Sequence, residues 1–112
     1  MEQDNLAVIT KKLQEGDLNT NPILCAEYRA VLSGEYSFYA GHLEEIMKYK
    51  PVAWNAKRPE FKSDTACERW WQATEYGINE TGINLKLKRI EKMMQGLNSL
   101  LKVAEGQSNN QY

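Results

Sequence analysis

The chain has 112 residues, enough for one domain and too few for two comfortable cores. Hydrophobic residues make up 42% and charged residues 26%, the balance of a folded globular chain, which excludes long-range disorder except at the ends. No stretch approaches the roughly 18 unbroken apolar residues of a membrane span. Met1 to Asp17 lacks the basic start and apolar core of a signal peptide, so a cytoplasmic protein with no membrane partner is expected.

The net charge of −1 is unevenly spread. Residues 1–47 hold three basic against eight acidic side chains, and residues 48–102 hold eleven basic against six acidic. That asymmetry fits an anionic partner for the second half. It fits equally well with acidic and basic segments that face each other, within one chain or between subunits. Cys25 and Cys67 make no zinc pattern and read as structural thiols.

Leu6, Ile9 and Leu13, spaced 3 and 4, predict a short amphipathic helix before Gly16, and "GDLNTNP" reads as a turn, so residues 1–20 are a short helix and turn. Asn21 is a candidate N-cap, with Pro22 at the first helical position. A long helix is predicted over 22–49. Its stripe is Tyr28, Leu32, Tyr36, Tyr39, Leu43 and Ile46. Gly34 and Gly41 lie inside it; each costs roughly 1 kcal/mol relative to Ala and would let a neighbour approach closely. Lys50-Pro51 is expected to end the helix.

Residues 50–62, with Pro51 and Pro59, read as an irregular connection. Ser63, Asp64 and Thr65 can each cap the next helix, and Thr65 with Glu68 fits a capping box. That helix is predicted over 63–105. Ile83, Leu87, Ile90, Met94, Leu97, Leu101 and Ala104 alternate at spacings of 4 and 3, a coiled-coil seam. Projected backward, the seam meets Glu80, Tyr76, Ala73, Arg69 and Ala66, with Gly77 and Gly82 alongside, so a break or kink is expected near 77–82. Residues 106–112 read as a frayed polar tail.

These elements predict an all-α fold: an antiparallel, coiled-coil-like hairpin of two long helices with a short N-terminal helix, forming a single domain over 1–112. Leu24, Val31, Phe38 and Met47 on one long helix, and Leu85, Met93 and Leu100 on the other, lie off the main seams. Two helices cannot bury both faces. The short helix would cover part of the remainder and other copies of the chain the rest, so a homo-oligomer is expected.

No active site is apparent. His42 is the lone histidine, no glycine-rich phosphate cradle follows a strand, and Glu44-Glu45 lacks the Glu-x-x-His partner of a di-metal bundle. Cys67 with His42 has no third orienting group. A non-enzyme without metal or cofactor is expected.

Segment 50–77, "KPVAWNAKRPEFKSDTACERWWQATEYG", is unusual. In a hairpin, Tyr49, Trp54, Phe61, Trp70 and Trp71 gather at one end among Lys48, Lys50, Lys57, Arg58, Lys62 and Arg69. Bases stack on aromatic rings while Lys and Arg follow phosphates, which is how single-stranded nucleic acid is held. Lys57, Arg58, Lys62 and Arg69 are the candidate phosphate contacts. Trp54 and one of Trp70 or Trp71 are the candidate stacking platforms, since adjacent helical residues diverge by about 100°. "LKLKRIEK" adds Lys86 and Arg89, with Lys88 and Lys92, on the polar face of the second helix. The structural alternative is that the tryptophans close the end of a bundle and the lysines are solvated or paired.

Residues 62–103, "KSDTACERWWQATEYGINETGINLKLKRIEKMMQGLNSLLKV", resemble small helical bacteriophage proteins, the recombination mediators of the UvsY type. The shared plan is a Ser-Asp helix start after a basic stretch, a Gly-containing break, and a Leu-Lys-rich coiled-coil helix. The resemblance implies an oligomeric protein that binds single-stranded DNA and helps a recombinase displace a single-strand-binding protein. The leading expectation is thus a non-catalytic single-stranded-DNA-binding accessory of phage recombination or replication. The alternatives are a small phage protein that binds and inhibits a host protein, such as a defence nuclease, and a structural coiled-coil adaptor.

Overall fold

The computed structural model describes residues 5–16 and 21–109, with side chains through residue 103, and every regular element among them is helical. Helix α1 spans Asn5–Glu15, α2 Pro22–Lys57, α3 Asp64–Ala73 and α4 Glu75–Asn109, with a 3-10 turn at Arg58–Glu60. Residues 17–20, 110–112 and the side chains of Ala104 and Glu105 lie outside the described part, and with them part of the predicted turn, seam and tail.

Several local predictions hold. Gly16 takes φ 74°, the left-handed conformation that ends helices, just past α1. Asn21 caps α2, its Oδ1 accepting from the Leu24 amide at 3.1 Å.

Four local predictions are corrected. Pro51 does not end the second helix; α2 runs through it to Lys57. A proline there forfeits one helical hydrogen bond, a cost of about 3 kcal/mol. Pro51 and Met47, whose carbonyl loses that bond, are both exposed. The turns after Pro51 are held by tertiary contacts: Trp54 Nε1 donates to Glu68 at 3.1 Å and Cys67 Sγ to the Trp54 carbonyl at 3.7 Å. Of the three candidate caps of α3, Ser63 is the one used, its hydroxyl accepting from the Ala66 amide, but the Thr65–Glu68 capping box does not form, because Glu68 is turned away to Trp54 and Lys50. The helix break falls at Thr74 (φ −73°, ψ 160°), upstream of 77–82. The backbone of the tail stays helical to Asn109.

The glycines also exchange roles. A Cβ at Gly34 or Gly41 would meet nothing within 4 Å. A Cβ at Gly77 would fall 1.9 Å from the Trp71 carbonyl oxygen. Gly77 therefore marks a close approach of α4 to α3 rather than a flexible joint.

The chain divides into two compact units: Met1–Tyr36 with Lys88–Tyr112, and Ser37–Leu87. In unit 1 the interior is Leu6 and Ile9 from α1, Cys25 and Leu32 from α2, and Ile90, Met93 and Leu97 from α4. The contacts Arg29–Asn98 (3.2 Å) and Tyr36–Glu91 (3.2 Å) climb along α2 as they descend α4. Helix α1 bridges the two: Asn5 Nδ2 donates to Glu35 of α2 at 3.0 Å, and Arg89 of α4 donates to Thr10 at 3.0 Å. In unit 2 the buried apolar residues are Ile46, Cys67, Trp71 and Leu87. There too the contacts climb along α2 as they descend α4, with Lys86 donating to the Tyr39 hydroxyl at 3.2 Å and Lys50 reaching Glu80 at 3.5 Å.

Candidate binding surface

Lys50 and Trp54 stand four residues apart on α2, hence on one face, and Glu68 and Trp71 stand three apart on α3. Unit 2 brings these pairs together around Glu80 of α4. Lys50 Nζ lies 3.0 Å from Glu68 and 3.5 Å from Glu80. The Trp54 indole donates to the other Glu68 oxygen, and the Trp71 indole donates to the other Glu80 oxygen at 2.6 Å. Lys50 also sits 5.6 Å from the Trp71 ring centroid. The side chains of Lys50, Glu80 and Glu68 are 20%, 17% and 38% exposed. Burial alone lowers the Lys50 pKa, but the Glu68 hydrogen bond and the charges of Glu80 and Glu68 outweigh it and hold the ammonium above the ordinary lysine value. No buried side-chain nitrogen or oxygen among the described residues lacks a partner.

Each candidate nucleic-acid residue has a definite place. Trp71 is only 1% exposed, with Tyr76 stacked 6.4 Å from its ring and its N–H on Glu80; a base reaches it only if unit 2 opens. Trp70 is half-buried between Phe61, 6.1 Å away, and Lys57, 5.7 Å from its centroid. Trp54 is half-buried and committed to Glu68. Lys57 pairs with Glu60 at 3.0 Å and Arg58 with Asp64 at 2.7 Å. Lys86 lies 4.6 Å from the Tyr39 centroid. Arg89 belongs to unit 1, apart from the other eight candidates, all of which belong to unit 2. Lys62 and Arg69 are exposed and make no ion pair with the described residues. Arg69 shares a shallow recess of about 500 Å³ with Asp64 and Glu68, carboxylates that oppose a phosphate.

Folding also removes the charge asymmetry. Unit 2 contains seven basic and seven acidic residues, because the excess of positive charge in 48–87 is met by Glu44 and Glu45 and the remaining cations of α4 fall in unit 1. Both cysteines are buried thiols without a disulfide, and burial pushes each above the ordinary thiol value, which suits packing rather than nucleophilic work. His42 is exposed, edge-on to Phe38 at 4.6 Å. No cluster of metal-binding side chains occurs among the described residues, and no described helix is long and apolar enough to cross a membrane.

A groove of about 690 Å³ that the sequence pattern does not announce lies in unit 2, between Tyr39–Tyr49 of α2 and Tyr76–Lys86 of α4. Its walls carry Ile46, Ile83 and the rings of Tyr49 and Tyr76, 4.6 Å apart. Tyr49, Tyr76 and Ile78 remain 44%, 49% and 60% exposed. The available signal was Tyr76 and Ile78 beginning a helix ahead of the clean seam. No protein-family model, curated protein or solved structure matches the chain.

Proposed function

We propose that the protein is a non-catalytic helical binding module whose partner is another protein, and that it docks through the groove of unit 2. The observation that supports this reading is a trough of tyrosine and isoleucine side chains left open to solvent beside a tightly tied polar network. Tyrosine is enriched in interface cores and among the residues that carry most of the binding energy. The neutrality of unit 2 and the engagement of Lys57, Arg58 and Trp71 weigh against a nucleic-acid surface there. In this reading the long helices form an antiparallel hairpin, the module works in the cytoplasm, and its exposed apolar residues make self-association a further property. A host protein, as expected of a small phage inhibitor, is one such partner.

The test is a pull-down with the full chain and with Ile78→Glu. A stoichiometric partner that resists nuclease and is lost in Ile78→Glu, with helical circular dichroism unchanged, supports the reading. A partner retained by the variant contradicts it.

A second reading, single-stranded DNA binding of the recombination-mediator kind, draws on Lys62 and Arg69, exposed and without ion pairs, beside Trp70. Fluorescence anisotropy of a labelled oligonucleotide at low and moderate salt tests it. Salt-sensitive binding lost in Lys62→Glu with Arg69→Glu would favour it over the protein reading.

A further inference from the structure

We infer that the groove of unit 2 receives an amphipathic helix of about three turns from a partner protein, with a cationic edge over Glu45 and a carboxylate edge over Lys86. The inference rests on the protein-binding reading above and names the class of segment that binds.

Length sets the first limit. Tyr39–Tyr49 and Tyr76–Lys86 each advance ten residues, about 15 Å of helix. A segment lying along that trough has room for about ten helical residues. The backbone sets the second. Both walls are helices whose main-chain groups, the Met47 carbonyl opposite Pro51 apart, are bonded within them, and no strand edge exists among the described residues. An extended peptide would find no main-chain partners there and would lose its own bonds to water. A helix brings its backbone already satisfied.

Charge sets the orientation of its edges. Glu45, on the α2 wall, is exposed and makes no ion pair with the described residues. Lys86, on the α4 wall, is held by the Tyr39 hydroxyl and ring and makes no ion pair with the described residues. One wall is thus acidic and the other basic. Unit 1 supplies an occupied example of the same polarity. There α1, of 11 residues, buries Leu6 and Ile9, gives a donor to Glu35 on α2 and takes one from Arg89 on α4.

The probe is a stapled 11-residue helix with Leu, Ile and Leu at positions 2, 5 and 9, the spacing of Leu6, Ile9 and Leu13. Lysine lines one edge and glutamate the other. It is titrated into the full-length protein and followed by NMR at Gly82, Ile78 and Ile83. The expected result is saturable shifts at these residues and at least tenfold weaker binding to Ile78→Glu. Glu45→Lys should weaken the probe two- to fivefold, the range of an exposed ion pair, and reversing the facing probe lysine to glutamate should restore it. A proline-containing analogue of the same composition should not bind.

Equal binding of the proline analogue would overturn the inference in favour of an extended occupant. Groove shifts that grow with protein concentration alone would assign the groove to a second copy, and shifts there with an oligonucleotide to nucleic acid; either overturns it. No groove shifts at millimolar probe would also overturn it. If the pull-down partner is nevertheless lost in Ile78→Glu, protein binding survives and the helical occupant alone fails; a partner retained by Ile78→Glu removes both.

Discussion

Unit 1 is closed by aliphatic side chains from three helices, with Leu32, Ile90 and Leu97 fully buried and its polar contacts near the surface. Unit 2 is closed by two indoles, two carboxylates and one ammonium bound to each other, and it leaves an apolar trough open alongside. Both contain parts of α2 and α4, so helix type does not account for the difference. Aliphatic burial is non-directional and tolerates adjustment. A network of part-buried charges tolerates little, because each member that loses its partner pays its own desolvation. The unit with the directional network also carries the open groove, which is where a fixed shape is useful.

The contrast can be broken most forcefully at Trp71. Trp71→Ala should cost about 3–5 kcal/mol in urea unfolding, the range for a buried aromatic. Gly77→Ala should cost about 3 kcal/mol, the upper end of the usual range for overpacking, since its Cβ cannot coexist with the Trp71 carbonyl. In unit 1, Ile9→Ala should cost about 2–4 kcal/mol by cavity formation alone. Lys50→Met should cost about 2 kcal/mol, below the value for a fully buried pair because Glu68 is partly solvated.

Titration then separates the two kinds of interior. The Lys50 pKa is raised in the fold above its ordinary value of 10.5. Its contribution is complete below about pH 10.5 and is lost as pH climbs through the raised value. Wild type should lose more stability than Lys50→Met across that window in urea midpoints, while Ile9→Ala should follow wild type. The smallest effect has the opposite sign. Gly34→Ala and Gly41→Ala should each raise stability by about 0.5–1 kcal/mol, since both sit in open helix interior.

Legibility follows the same division. Leu87, Ile90 and Leu97 repeat at spacings that only a buried helical seam explains, and all three are buried. Asn21 and Gly16 announced their helix ends by local chemistry. Pro51 misled because its local penalty is outweighed by contacts from residues far along the chain. Glu80 was conspicuous as a charge on an apolar seam, but its meaning needed Lys50 and Trp71, 30 and 9 residues away. Glu68 offered a capping box and took a tertiary role instead. For the basic, tryptophan-rich segment the sequence left a binding surface and a closed, charge-paired bundle end both open, because charge counting alone does not say whether Glu60 and Asp64 fold onto Lys57 and Arg58, as they do.

Thr74 carries a kinetic consequence. Its hydroxyl donates to the last turn of α3 at the Trp71 carbonyl, 2.6 Å away, and accepts from the first turn of α4 at the Gly77 amide, 3.1 Å away. One oxygen therefore belongs to two helix ends. Neither end can fray without releasing the other, so amide exchange at Gly77 and solvent entry to the Trp71 indole should share a single opening rate, and Thr74→Val should split them into two.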